Sequence, residues 1–303
     1  MTSAPDDPRR PGLAASTVET LVRPRPRDLG GFEVHRVLPA AERRMVGPFV
    51  FLDQMGPARL APGTGIDVRP HPHIGLATVT YLFQGSILHR DSLQSVQPIT
   101  PGDVNWMTAG RGIVHSERTA PEVRQAAHDL YGMQLWVALP KEHEETAPAF
   151  VHYPRSILPT MEQPGIRARV IAGRAFDQAS PVATLSPLFF VDVALDAGAR
   201  LEVDLDYAER ATYLLEGRIE IAGTVHEPPC LLVFGAGRKP VIEATAPSRL
   251  ALLGGAPLDG PRHLWWNFVS SSKERIEQAK IDWKRDRFGV SVPGDTEFIP
   301  LPD

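Results

Sequence analysis

Hydrophobic positions fall in short runs, at 77–83, 134–139, 189–195, 201–205 and 211–215, alternating with polar residues or continuously apolar. Thirty prolines and 25 glycines separate them. Strands this short, with turn signals between them, predict sandwiches or barrels rather than βαβ units. One helix is predicted late in the chain, capped by Ser271 with Glu274 at the reciprocal capping-box position. Ile276, Ala279 and Trp283 would form its buried face.

A faint repeat divides the chain. Thr80-Tyr81-Leu82-Phe83-Gln84-Gly85-Ser86-Ile87 recurs as Thr212-Tyr213-Leu214-Leu215-Glu216-Gly217-Arg218-Ile219, a strand followed by a turn in each half. The expectation is an all-β protein of two jelly-roll barrels with a short C-terminal helix. Its parts would be a mobile tail at 1–16, a metal-binding barrel at 17–150 and a second barrel at 151–303, with 152–187 connecting the halves.

Length and composition are compatible with this reading. The 303 residues suffice for two cores, and 43% apolar with 22% charged residues is a globular balance. A net charge of -4 argues against direct nucleic-acid binding, which needs a concentrated basic face. The short basic cluster at Lys284, Arg285 and Arg287 is broken by Asp286 and reads as solvated surface. Cys230 is the only cysteine, so no intrachain disulfide can form, and its apolar neighbours mark it as a buried strand thiol. No apolar run is long enough to span a bilayer, and Met1 to Gly12 lacks a signal peptide's apolar stretch. A cytoplasmic protein without membrane contact is expected.

Two pairs of residues carry the chemistry. Residues i and i+2 of a strand share a face, about 6.5–7 Å apart. His71 and His73 therefore present two imidazoles to one side, and His115 and Glu117 present an imidazole and a carboxylate. Gly75 and Ala77 were expected to leave room beside the first pair, with Val79, Tyr81 and Phe83 filling the same face beyond. Gly110 and Gly112 would allow tight backbone paths before His115. The other seven histidines, at 35, 89, 128, 143, 152, 226 and 263, lack such a partner and read as surface or hydrogen-bonded residues. Three imidazoles and a carboxylate leave open positions on a six-coordinate ion, as in non-haem iron oxygenases. Zinc, manganese, nickel or copper could use the same donors, although the absence of a thiolate argues against structural zinc.

At these residues the chain resembles the pirin family, a branch of the cupin superfamily. The resemblance runs from Gly47-Pro48-Phe49-Val50-Phe51-Leu52-Asp53 through Pro70-His71-Pro72-His73-Ile74-Gly75 and Thr80-Tyr81-Leu82. It continues through the specific run Pro101 to Glu117, which includes Trp106-Met107-Thr108-Ala109-Gly110-Arg111-Gly112, to Trp266-Asn267-Phe268-Val269-Ser270-Ser271-Ser272. It implies a bicupin with one iron ion held by His71, His73, His115 and Glu117. It further implies quercetin dioxygenase activity on a flavonol-type aromatic substrate and O₂, with Glu117 as general base. Met107, Trp106 and Phe83 are candidates for the pocket wall. The alternative implied by the family is an iron-dependent redox sensor acting through protein partners without turnover; a purely structural metal is the blander reading. Two positions depart from many pirins: Ala77 stands where they carry Glu, and Gln54 where they carry His. Loss of an acid at Ala77 would remove a possible partner of the metal ligands.

Aligning the repeat places Val203 and Leu205 opposite His71 and His73, and Ile242 and Ala244 opposite His115 and Glu117. The second barrel is thus expected to lack metal ligands, with Asp204 and Asp206 on its polar face.

Overall fold

In the first half, two antiparallel sheets face each other across a buried interior. The larger runs, in order, through Ala149–Tyr153, Val104–Thr108, Leu76–Gln84, His128–Ala138, Phe49–Leu60, Glu33–Leu38 and Arg25–Asp28. The smaller runs through Asp67–His73, Ile113–Arg118, Ile87–Asp91 and Val96–Ile99. These positions come from a computed structural model that describes residues 17–28 and 32–302. The tail expected at 1–16 lies outside the described residues.

The second half is one curled sheet, ordered Val18–Val22, Cys230–Phe234, Glu209–Ile221, Val241–Gly255, Leu188–Leu195, Ile166–Ala175, Thr160–Gln163, with short strands at its margins. Its inner face encloses a separate apolar core that includes Val191, Leu214, Leu232 and Leu252. Two barrels with one substantial helix, Lys273–Asp286, are the architecture expected from the strand pattern.

Strand pairing does not follow a division at residues 150 and 151. Val18–Val22 pairs with Cys230–Phe234 of the second barrel. Ala149–Tyr153 pairs with Val104–Thr108 of the first. The C-terminal hairpin, His263–Trp265 with Phe268–Ser270, and the helix after it pack on Ile74 and Val114 of the first barrel. The stretch 152–187 is not a plain connection either, since Ile166–Ala175 is a strand within the second sheet.

The central strands of the larger first-half sheet, Leu76–Gln84 and His128–Ala138, are buried on both faces for most of their length, and this decides where their side chains go. Ala77, Val79 and Tyr81 join Leu135, Val137, Phe190, Tyr213 and Leu253 in a core between the two barrels. Intervening residues such as Leu76 and Leu82 point into the first barrel. Two buried tyrosines bridge the contact with hydrogen bonds. The Tyr213 hydroxyl donates to Gln54 Oε1 at 2.6 Å, and Tyr81 donates to Asp192 at 2.8 Å, which Arg249 also grips with two N–H groups.

The helix begins one residue later than expected. Ser272 caps it, its hydroxyl accepting from the Arg275 N–H at 3.2 Å. Ser271 is unavailable because both its N–H and its hydroxyl donate to Glu144. Ile276, Ala279 and Trp283 form the buried face, as their spacing predicts.

Candidate metal centre

His71 and His73 lie on Asp67–His73, and His115 and Glu117 lie on the adjacent antiparallel strand Ile113–Arg118. The register sets His115 directly opposite His71, and a bulge between His115 and Glu117 offsets the carboxylate. Prolines at 70 and 72 alternate with the histidines, so all four side chains turn into the barrel, where all four are buried.

The donor atoms form two overlapping groups. Those of His71, His73 and His115 lie within 4.8 Å of one another; Glu117 falls within the same limit of His115 and of His89. His115 is shared, so the four predicted residues converge on one region without forming a single cluster of four. His89 is the residue that spacing did not single out. It is hydrogen-bonded, to Asp91 at 2.8 Å, but it is buried rather than on the surface, and its ring stacks on Phe150. Its strand pairs with that of His115 and Glu117, Glu117 opposite His89 and His115 opposite Asp91. The i/i+2 spacing of His89 and Asp91 was the available signal.

Hydrogen bonds set the tautomers. His71 Nδ1 is 2.9 Å from the Arg69 carbonyl and His73 Nδ1 is 3.2 Å from the Asn267 carbonyl. A carbonyl only accepts, so each Nδ1 carries the proton and each Nε2 presents a lone pair. His73 Nε2 and His115 Nε2 stand 3.1 Å apart, and His115 Nδ1 is buried without a partner. Two nitrogens this close need a proton or a cation between them. Two ligands at right angles around one ion, each about 2.1 Å away, would be about 3.0 Å apart. The donors therefore fit a divalent transition metal.

Burial shapes the protonation states. It pushes His71 down to about 4 and holds His73 and His115 well below the ordinary imidazole value, so all three are neutral at pH 7. The Glu117 carboxyl is raised, first by burial, with the charge of His89 and the Thr80 hydroxyl pulling the other way. Thr80 donates to Glu117 Oε1 at 3.0 Å.

These shifts predict acid sensitivity. The three imidazoles bind protons more readily unfolded, near pH 6.5, than folded. Stability is therefore complete above about pH 6.5 and falls as pH drops toward 4, with His71 alone contributing about 3 kcal/mol of that loss. Glu117, raised in the fold, acts with the opposite sign, as one group against three. Thermal melts of metal-stripped protein from pH 7 to 4 should show a falling Tm. A flat profile would mean the imidazoles are hydrated rather than buried.

A cavity of about 550 Å³ opens over the cluster. His71, His73 and Glu117 line it together with Phe51, Asp53, Met55, Gln134, Trp136 and Trp266. Phe51 and Trp136 are stacked at 4.0 Å. The walls expected from sequence are elsewhere: Trp106 is in the core between the barrels with Phe83 packed against that core, and Met107 is buried among the side chains of Leu76 and Ile113. Ala77, Val79 and Tyr81 likewise face the second barrel, and so does Gln54 through Tyr213. The departures at Ala77 and Gln54 thus belong to the contact between barrels and do not line the cavity. Gly75 serves a close approach rather than an open space. Its φ is +66°, and a Cβ there would sit 1.9 Å from the Val269 carbonyl oxygen of the C-terminal hairpin.

In the second barrel, Val203, Leu205, Ile242 and Ala244 are buried in its apolar core, while Asp204 is exposed and paired with Lys239. Burial raises the Cys230 thiol to about 11. Among the described residues, no helix is long and apolar enough to cross a membrane.

Comparison with known proteins matches both halves. The family profile described as Pirin covers residues 31–137, and that of the Pirin C-terminal cupin domain covers 190–289. The chain is 51% identical over 282 residues to a pirin-like protein of Caulobacter vibrioides, covering 92% of this chain and 97% of the relative. It is 33% identical to pirin of Rattus norvegicus, covering 86% and 88%. Among solved structures, quercetin 2,3-dioxygenase from Acinetobacter baumannii superposes with a TM-score of 0.87 at 34% identity, covering 94% of this chain and 95% of that one.

Proposed function

The chain belongs to the pirin family, and from that membership we propose that it is a non-haem iron oxidoreductase of the quercetin dioxygenase type, holding one iron ion through His71, His73, His115 and Glu117. The observation that carries this reading is the convergence of these buried donors at the base of an aromatic-walled cavity of about 550 Å³, a size suited to a small ligand. Imidazole and carboxylate donors without thiolate suit non-haem iron. When bound, iron would supply Lewis acidity toward an enolic oxygen and the redox chemistry that O₂ requires.

The chain's own residues do the rest. His71 and His73 are locked by backbone carbonyls with Nε2 turned inward, so their orientation costs nothing when the site loads. Glu117 takes the proton of the substrate hydroxyl; in the metal-free site burial raises its carboxyl. The Thr80 hydroxyl shares its single proton between Glu117 Oε1 at 3.0 Å and Gln134 Oε1 at 2.9 Å, which keeps that carboxylate oxygen turned toward Thr80. Phe51 and Trp136, stacked on each other, give an apolar aromatic wall, and Asp53 and Gln134 offer polar groups for substrate hydroxyls.

Glu117→Gln keeps the shape and removes the base. With metal content confirmed by elemental analysis, oxygen uptake on a flavonol panel should fall by about a hundredfold or more. An undiminished rate in a metal-loaded variant would remove Glu117 from the role of base. No uptake by the iron-loaded parent protein on any flavonol would overturn the dioxygenase reading itself.

A further inference from the structure

The mouth of the cavity carries a charge pattern that a neutral flavonol does not use. Arg25 and Arg27 alternate onto one face of Arg25–Asp28 and are exposed, whereas His71, His73 and Glu117 are buried at the base. Register places Arg25 directly opposite Arg36 and Arg27 opposite Val34, and all four residues line the cavity. Like charges directly opposed across two strands destabilise a sheet. The pairing is mitigated on one side only. Asp53 holds Arg36 with two bonds of 2.8 Å, and the Arg36 guanidinium lies 4.4 Å over the Phe51 ring. Arg25 donates one N–H to the Pro39 carbonyl at 2.8 Å, which neutralises no charge. Arg27 acts on Asp53 at a distance, and no ion pair joins it to another described residue. The other acid of the mouth, Asp67, is engaged by Arg118 and Arg124, and Asp28 falls on the opposite face by alternation.

We propose that this arginine face selects an aromatic substrate bearing an anionic substituent, a carboxylate or sulfate, at the end remote from the metal. This rests on the reading of the cavity as the substrate site and adds the substrate's charge to it. The ring lies along Phe51 and Trp136 while the anion meets Arg25 and Arg27 in the fork geometry by which a guanidinium grips two oxygens of an oxyanion.

The test compares a neutral flavonol with the same flavonol carrying a B-ring sulfate. Binding to the anaerobic, metal-loaded protein is read by quenching of tryptophan fluorescence, since Trp136 and Trp266 line the cavity. Two exposed ion pairs should favour the sulfate about tenfold at low salt, and the preference should shrink as ionic strength rises. In the double variant R25Q/R27Q the affinity ratio should approach one, with circular dichroism confirming the fold. R200Q, which removes an exposed arginine paired with Glu243 on the second barrel, should leave the ratio as in the parent. Equal affinities in the parent protein, or a preference that survives R25Q/R27Q, would overturn the proposal. Because the readout is binding, tight salt-sensitive capture of the sulfate without any oxygen uptake would uphold charge selection while rejecting the dioxygenase reading.

Discussion

His73→Ala protein is expected to purify without stoichiometric metal while remaining folded. His73 is fully inside the barrel, its Nδ1 engaged by the Asn267 carbonyl and its Nε2 3.1 Å from that of His115. The nearest alternative donor is His89, which groups with His115 and Glu117, but that group keeps only two of the four proposed ligands, and His89 Nε2 is held by Asp91 at 2.8 Å. Loss of an outer hydrogen-bond partner typically weakens a metal site ten- to a hundredfold, and loss of a ligand should exceed that. The cores that hold the barrels together are apolar and do not include His73. Elemental analysis of untagged protein should therefore show metal near zero, with a far-ultraviolet circular dichroism spectrum like that of the stripped parent. One full equivalent of metal in His73→Ala would show that the ion is held elsewhere.

The second large effect is expected at Glu144, a residue distant in sequence from every ligand. Its carboxylate is buried and accepts from the Arg262 guanidinium at 2.7 Å, from the Ser270 and Ser271 hydroxyls and from the Ser271 N–H. Arg262 is itself buried and spends further N–H groups on the Leu139 carbonyl. Removing one partner of a buried pair costs about 3–5 kcal/mol when the other charge is left alone; here Arg262 keeps a second ion pair, to Asp259, so the loss should fall toward the lower end of that range. Glu144→Ala should thus lower the urea midpoint sharply. The consequence should also reach the metal. The residues that Glu144 anchors flank the hairpin tip where Trp266 lines the cavity and Asn267 supplies the carbonyl that orients His73. Metal affinity, measured by chelator competition at low denaturant, should fall about tenfold or more. A destabilised Glu144→Ala protein with unchanged metal affinity would show that the hairpin only supports the fold.

The pairing of the proposed ligands was legible because strand periodicity is local. Two residues apart in an extended chain means one face, whatever the strand later packs against. That rule put His71 with His73 and His115 with Glu117, and it set the aspartates at 204 and 206 apart from the apolar row at 201, 203 and 205. It failed for the cavity wall. The strand Leu76–Gln84 is buried on both faces for most of its length, so alternation sorts its residues into two sets without saying which set faces the site. Val79, Tyr81 and Phe83 were assigned to the wrong one. The cap at Ser272 was misread by one position because a third partner, Glu144, competes for Ser271.

Sequence alone determined the β-rich architecture, the two-fold repeat, the late helix and the shared faces of His71 with His73 and of His115 with Glu117, since each depends on residues within a few positions of one another. Tertiary structure alone decided the remainder: the placing of His89 beside Glu117, the packing of the C-terminal hairpin behind His73, and the opposition of Arg25 and Arg36 at the cavity mouth. Each of these joins segments through cross-strand register or packing, where a shift of one residue reverses every side chain. Such a shift leaves no trace in the composition or periodicity of either segment.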